Sequence, residues 1–103
     1  MASVRAFPAY YSPLGFQKLT VSSSSVGFTL PTQPPLVRAV LFTVETANVR
    51  MKVSGAAATT SDGLLLKDGD IVELLNTEMI KNCQLIAVSS DATVQIEYFG
   101  GGA

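Results

Sequence analysis

Leu36-Val37-Arg38-Ala39-Val40-Leu41-Phe42-Thr43-Val44-Glu45 sets the fold class of this chain. Val40, Phe42 and Val44 fall on one side of an extended backbone, and Val37, Ala39 and Leu41 on the other, a period of two that a helix does not produce. Apolar residues on both sides predict a central strand covered on both faces, by its own fold or by a partner. Arg38 interrupts the run, and the stretch is far short of the ~18–20 apolar residues a bilayer helix requires.

The same period extends in both directions from this strand. Downstream, Ala47-Asn48 is turn chemistry, and Val49, Met51 and Val53 alternate with Arg50 and Lys52. Residues 54–62 are small and polar and read as a surface loop. Leu64-Leu65-Leu66 and Ile71-Val72-Glu73-Leu74-Leu75 flank Lys67-Asp68-Gly69-Asp70, whose Asp-Gly step predicts a hairpin. Asn76 to Asn82 has room for one short helical turn that would place Met79 and Ile80 inward. Leu85 to Ser89 and Thr93 to Phe99 flank Ser90-Asp91-Ala92, which predicts a second hairpin. Upstream, Pro31, Pro34 and Pro35 force an irregular connection. Before it lie Val26-Gly27-Phe28-Thr29-Leu30, which alternates cleanly, the loop Ser22 to Ser25, and a first strand from Phe16 to Val21 with Leu19 and Val21 on one face. Roughly eight short strands separated by turn signals predict an all-β fold, an antiparallel β-sandwich or jelly-roll-like barrel over residues 16–99. Residues 100–103, Gly-Gly-Gly-Ala, read as a flexible tail.

Residues 1–15 do not fit the alternation. Half of the chain's eight aromatic residues fall in its first sixteen positions, where Phe7, Tyr10, Tyr11 and Phe16 are interleaved with Pro8, Pro13 and Gly15. Proline fixes φ and removes a backbone donor, so a regular ladder through this stretch is not expected. Aromatic rings bury roughly 150–250 Å² each when covered. An extended, proline-stiffened arm that lays its rings on another surface satisfies both constraints. That surface is either the chain's own body or a neighbouring subunit. The interface residues expected on the arm are Phe7, Tyr10 and Tyr11, with Arg5 making a polar contact at the rim.

Composition points to assembly. The 103 residues are 48% hydrophobic and only 15% charged, against about 25% charged in an ordinary domain. A chain with too little charge to cover itself is most simply explained by burial against partners. Residues 1–52 carry a net charge of +4 and residues 53–103 a net −5, which would favour unlike faces meeting between subunits. With a pI near 5.1 and no basic stripe, no nucleic-acid partner is expected, and no membrane partner either. Residues 1–14 lack an apolar core segment and contain two prolines, so no signal peptide is expected.

The chemistry-bearing residues are few. There is no histidine, which removes the commonest general base and the Ser-His-Asp arrangement. Cys83, the single cysteine, sits in an apolar run and reads as a buried, inert thiol. Carboxylate pairs remain: Asp68 with Asp70, or Asp62 with Glu73. Glycoside chemistry would need such a pair roughly 5–9 Å apart in a cleft. Asp68-Gly69-Asp70 is turn sequence, where aspartate is recruited for local backbone bonds. Its Asp-x-Asp spacing resembles the start of a calcium loop, but no further ring of oxygen ligands follows. No catalytic, cofactor or metal site is expected.

Several segments resemble a known family. Arg5-Ala6-Phe7-Pro8-Ala9-Tyr10-Tyr11 followed by Gly15-Phe16 resembles the opening of small structural proteins of tailed-bacteriophage virions. Val44-Glu45-Thr46-Ala47-Asn48-Val49-Arg50 with Gly55, Thr59, Gly63 and Leu66 resembles the same family, as does the end, Leu85 to Ser89, Ala92-Thr93-Val94 and Ile96-Glu97-Tyr98. The chain departs from the family pattern at Cys83-Gln84, where an aromatic and an arginine would stand. The resemblance implies a non-enzymatic virion protein with a β-sandwich body, assembled in the host cytoplasm. Its partners would be its own copies and other virion proteins such as the major capsid protein. A capsid decoration or cement role, a collar or tail adaptor ring, and a carbohydrate- or receptor-binding module on a fibre or tail tip are the roles open to it.

Overall fold

The computed structural model describes residues 12–30 and 37–100. The interface expectations on Arg5, Phe7, Tyr10 and Tyr11 lie outside the described residues, as do the three prolines of the connection and the last three residues. Among the described residues there are seven strands and one short helix. The strands are β1 (Ser12–Val21), β2 (Val37–Glu45), β3 (Val49–Lys52), β4 (Leu64–Leu66), β5 (Ile71–Leu74), β6 (Gln84–Ala87) and β7 (Ala92–Gly100). The helix, α1, spans Thr77–Asn82. The fold is all-β, in two antiparallel sheets: four strands in the order β1-β7-β2-β5, and three in the order β4-β3-β6.

One core serves both sheets. Val40, Phe42 and Val44 of β2 are fully buried, as the alternation predicts, alongside Val94 and Ile96 of β7 and Val49 and Leu85 of β3 and β6. Leu74 and Ala87 are buried as well. The second face of β2 is covered only in part: Ala39 is buried and Leu41 half-buried, while a register shift between Val37 and Ala39 puts Val37 in the core cluster with Val40 instead of beside Ala39 as the alternation predicts. Among the described residues no polar or charged residue is buried, and no buried side-chain nitrogen or oxygen atom lacks a hydrogen-bond partner.

Both expected hairpins turn out to be corners between the sheets. Lys67 to Asp70 does form a turn, closed by the Asp70 N–H donating to the Lys67 carbonyl at 2.9 Å. The strands it joins, however, pair elsewhere: β4 with β3, and β5 with β2. Likewise β6 and β7 flank Ser90-Asp91 but belong to different sheets. The corners are bonded to one another. The Asp68 carboxylate accepts from the Thr46 N–H at 3.1 Å, and the Asp68 N–H donates to Asn48 Oδ1 at 2.9 Å. Val88 N–H then donates to the Asn48 carbonyl at 3.1 Å, so the β2–β3, β4–β5 and β6–β7 crossings lie side by side. An Asp-Gly step specifies a chain reversal; it does not specify that the two arms pair.

Three further expectations are corrected. Strand β1 begins at Ser12, not Phe16, so Pro13 and Gly15 belong to the sheet. Proline is tolerated because β1 is an edge strand and the register shifts there, leaving Leu14 as a bulge residue packed on the core. Residues 26–30 do not form a regular strand. Val26 exchanges two 2.8 Å backbone bonds with Leu85, and beyond that bridge Phe28 contributes packing, edge-on to Phe42 at 5.6 Å and to Tyr98 at 6.4 Å. In α1, Ile80 is buried but Met79 points outward. The Asn76 side chain caps the helix by accepting from Glu78 and Met79 N–H at 2.9 and 3.1 Å, and this phase places Ile80 inward.

Candidate functional site

Of the carboxylates weighed as pairs, those of Asp68 and Asp70 hold turns through backbone hydrogen bonds. Asp68 holds the corner just described, and Asp70 accepts from the Lys67 N–H at 2.8 Å. Asp62 closes its own loop, its N–H donating to Thr59 Oγ1 at 2.9 Å. Among the described residues no three His, Cys, Asp or Glu side chains come together as a metal site. Cys83 is 1% exposed, and burial pushes its thiol up from 9.0 to about 12, which leaves it protonated at neutral pH. No helix among the described residues is long and apolar enough to cross a membrane.

What the surface does present is apolar. Among the described residues, Phe16, Leu64, Leu65, Leu75 and Met79 are the exposed large hydrophobic side chains. Phe16 lies on β1, which ends the four-stranded sheet, and Leu64 and Leu65 lie on β4, which ends the three-stranded one. Leu75 directly follows β5, the other end of the larger sheet. Edge strands of free-standing proteins are usually protected by charge, because their open backbone groups invite pairing. β4 carries three leucines and no charge.

Two grooves accompany these edges. One, about 390 Å³, runs beside β4 and is lined by Met51, Lys52, Val53, Ser54, Gly63 and Leu64. Arg50 shapes this side by donating to the carbonyls of Thr60 and Gly63 at 3.2 and 3.0 Å, which holds the loop before β4 against β3. The other, about 380 Å³, lies at the β1 edge between Gly15, Phe16, Gln17, Thr29, Leu30 and Tyr98. Gln17 organises it. Its Oε1 accepts from the Tyr98 hydroxyl and from the Thr29 N–H, the latter at 3.2 Å, which ties β7 and the 26–30 segment to β1. Burial raises the Tyr98 phenol from 10.0 to about 12, so it remains a donor. Gly15 has open space on its side-chain face, with no atom of the described residues within 4 Å of where a Cβ would stand.

The edge residues could have been found from sequence. In β1 the apolar face is Leu19 and Val21, so Phe16 is in phase with Lys18 and Thr20 and must point outward. Three consecutive leucines in a short strand likewise cannot all face one side. No known protein family, no curated protein and no solved structure matches the chain.

Proposed function

We propose that this protein is a non-enzymatic structural subunit of a tailed-bacteriophage particle, of the capsid decoration or cement type, stabilising the shell through subunit contacts. The observation that carries the assembly part of this reading is the placement of Phe16, Leu64, Leu65 and Leu75 on or beside the ends of the sheets. Apolar edges are a liability in a monomer and an asset in a lattice, where a neighbour covers them. Low overall charge supports the same reading. The strand order adds to it. If residues 26–30 are counted by their bridge to β6, the second sheet becomes a four-membered layer in the order 26–30, β6, β3, β4, opposite β1-β7-β2-β5. Eight segments in two such layers fit a jelly-roll sandwich, an architecture used by viral capsid domains and by lectins. The fold alone does not choose between those uses, and the virion assignment draws on the sequence resemblance.

The test is location. Particles fractionated into empty heads and isolated tails should retain the protein on heads, and heads lacking it should break at lower temperature. Retention on tails would select the collar or tail adaptor role, and specific capture on a glycan array the receptor-binding one. Absence from every particle fraction would overturn the virion reading.

A further inference from the structure

We propose that the groove at the β1 edge receives the aromatic arm of a second copy of this chain, with Phe7, Tyr10 and Tyr11 seated between Phe16, Leu30 and Tyr98. This rests on the reading of the protein as an assembly subunit and names the surface through which copies join. Four observations carry it. The groove has the size of a side-chain receptor, about 380 Å³, near the lower end of the roughly 300–1,000 Å³ typical of binding pockets. Its wall includes an aromatic ring that is 56% exposed, suited to pack another ring. Gly15 leaves space that no side chain among the described residues fills. Gln17 spends only its Oε1 on Tyr98 and Thr29, and its amide nitrogen has no partner among the described residues. That nitrogen is a donor for a tyrosine oxygen or for a carbonyl of the proline-bearing arm, which is rich in acceptors.

Chain geometry favours a second copy over self-docking. β1 is paired with β7 from Ser12 onward, so the chain enters the strand at its Ser12 end, away from Gly15, Phe16 and Gln17. To enter its own groove the arm would have to reverse within eleven residues, next to Pro13 and with Pro8 inside the reversal. To enter a neighbour's groove it need only continue. Eleven residues reach at most about 36–40 Å, more than the molecule's 30 and 19 Å widths. A head-to-tail contact of this kind closes into a ring if the rotation between copies allows it.

The experiment uses two full-length variants and their mixture, followed by size-exclusion chromatography with light scattering. Phe7→Ser/Tyr10→Ser/Tyr11→Ser removes the anchors and keeps the groove. Gly15→Val fills the groove and keeps the arm; its backbone is outside the left-handed region and its Cβ site is open, so its melting temperature should match the parent's. The parent should self-associate, and each variant alone should associate at least tenfold more weakly. Mixed, the two should form a 1:1 heterodimer, the arm of the Gly15→Val copy entering the groove of the other. Should Gly15→Val melt early, Phe16→Ser replaces it as the groove variant. A mixture that stays monomeric while the parent assembles would overturn the groove as receptor and leave the assembly reading standing. A monomeric parent whose arm variant melts early would overturn the exchange between copies, because the arm then covers its own subunit. An arm variant that assembles like the parent would overturn the arm as ligand. None of these outcomes depends on where the protein sits in a particle.

Discussion

Phe42 is fully buried at the centre of β2, and its ring meets Phe28 edge-on at 5.6 Å. Phe42→Ala should therefore cost about 3–5 kcal/mol, enough to unfold a domain of ordinary marginal stability. Urea denaturation measures this, and a loss below about 1 kcal/mol would mean the cavity collapses without penalty. Cys83 and Tyr98 make a second prediction. Both are held protonated by burial, with pKa values raised to about 12 from 9.0 and 10.0. A raised acid stabilises the fold fully below its unfolded value and loses that contribution as pH climbs towards the folded one. Stability should thus fall from pH 9.0 upward, and Cys83→Ala should remove the earlier part of the fall while the Tyr98 part, starting near 10.0, persists. Denaturation midpoints across that range check it; a Cys83→Ala curve identical to the parent's would mean the thiol titrates freely.

Among the elements, the corner between β2 and β3 stores strain. Thr46 has φ 81°, a left-handed value that a β-branched residue adopts at a cost of roughly 1–2 kcal/mol. It is kept there by its N–H donating to Asp68. Thr46→Gly should relieve the strain and, after the extra entropy glycine loses, stabilise the protein by about 0.5–1 kcal/mol. Asp68→Ala should destabilise it by about 1 kcal/mol, since it removes an acceptor joining two sheet crossings. Thermal melts of the two variants should move in opposite directions. If both destabilise equally, the Thr46 side chain itself supports the corner.

For the whole molecule, the exposed leucines at the sheet ends bear on association. Leu64 is 61% exposed on a strand with no charge of its own. Leu64→Lys should leave stability within about 0.5 kcal/mol, as surface changes usually do, while lowering self-association at high concentration. Sedimentation velocity and a thermal melt on the same sample check both halves. A melting temperature that drops by many degrees would show instead that Leu64 supports its own fold.

Period-two alternation determined the all-β class and most of the inward faces by itself, though it read residues 26–30 as a strand and missed the start of β1 at Ser12. Val40, Phe42, Val44, Leu74, Leu85, Ala87, Val94 and Ile96 could all be read as core because burial of one face is a local property of a pleated chain. Residues 26–30 alternate as a strand would, yet the segment pairs only at Val26, and Phe28 packs half-buried against the core. The Asp-Gly turn was legible as a turn. Which strands pair was not, because β4 and β5 find β3 and β2 through contacts remote in sequence, and a turn signal is silent about them. The β1-edge groove was equally out of reach. It exists only because Gln17, Thr29 and Tyr98, far apart along the chain, are gathered by two bonds to one amide oxygen. Alternation is written residue by residue, whereas pairing and grooves arise only when distant segments compete for the same neighbours, and that competition is decided in three dimensions.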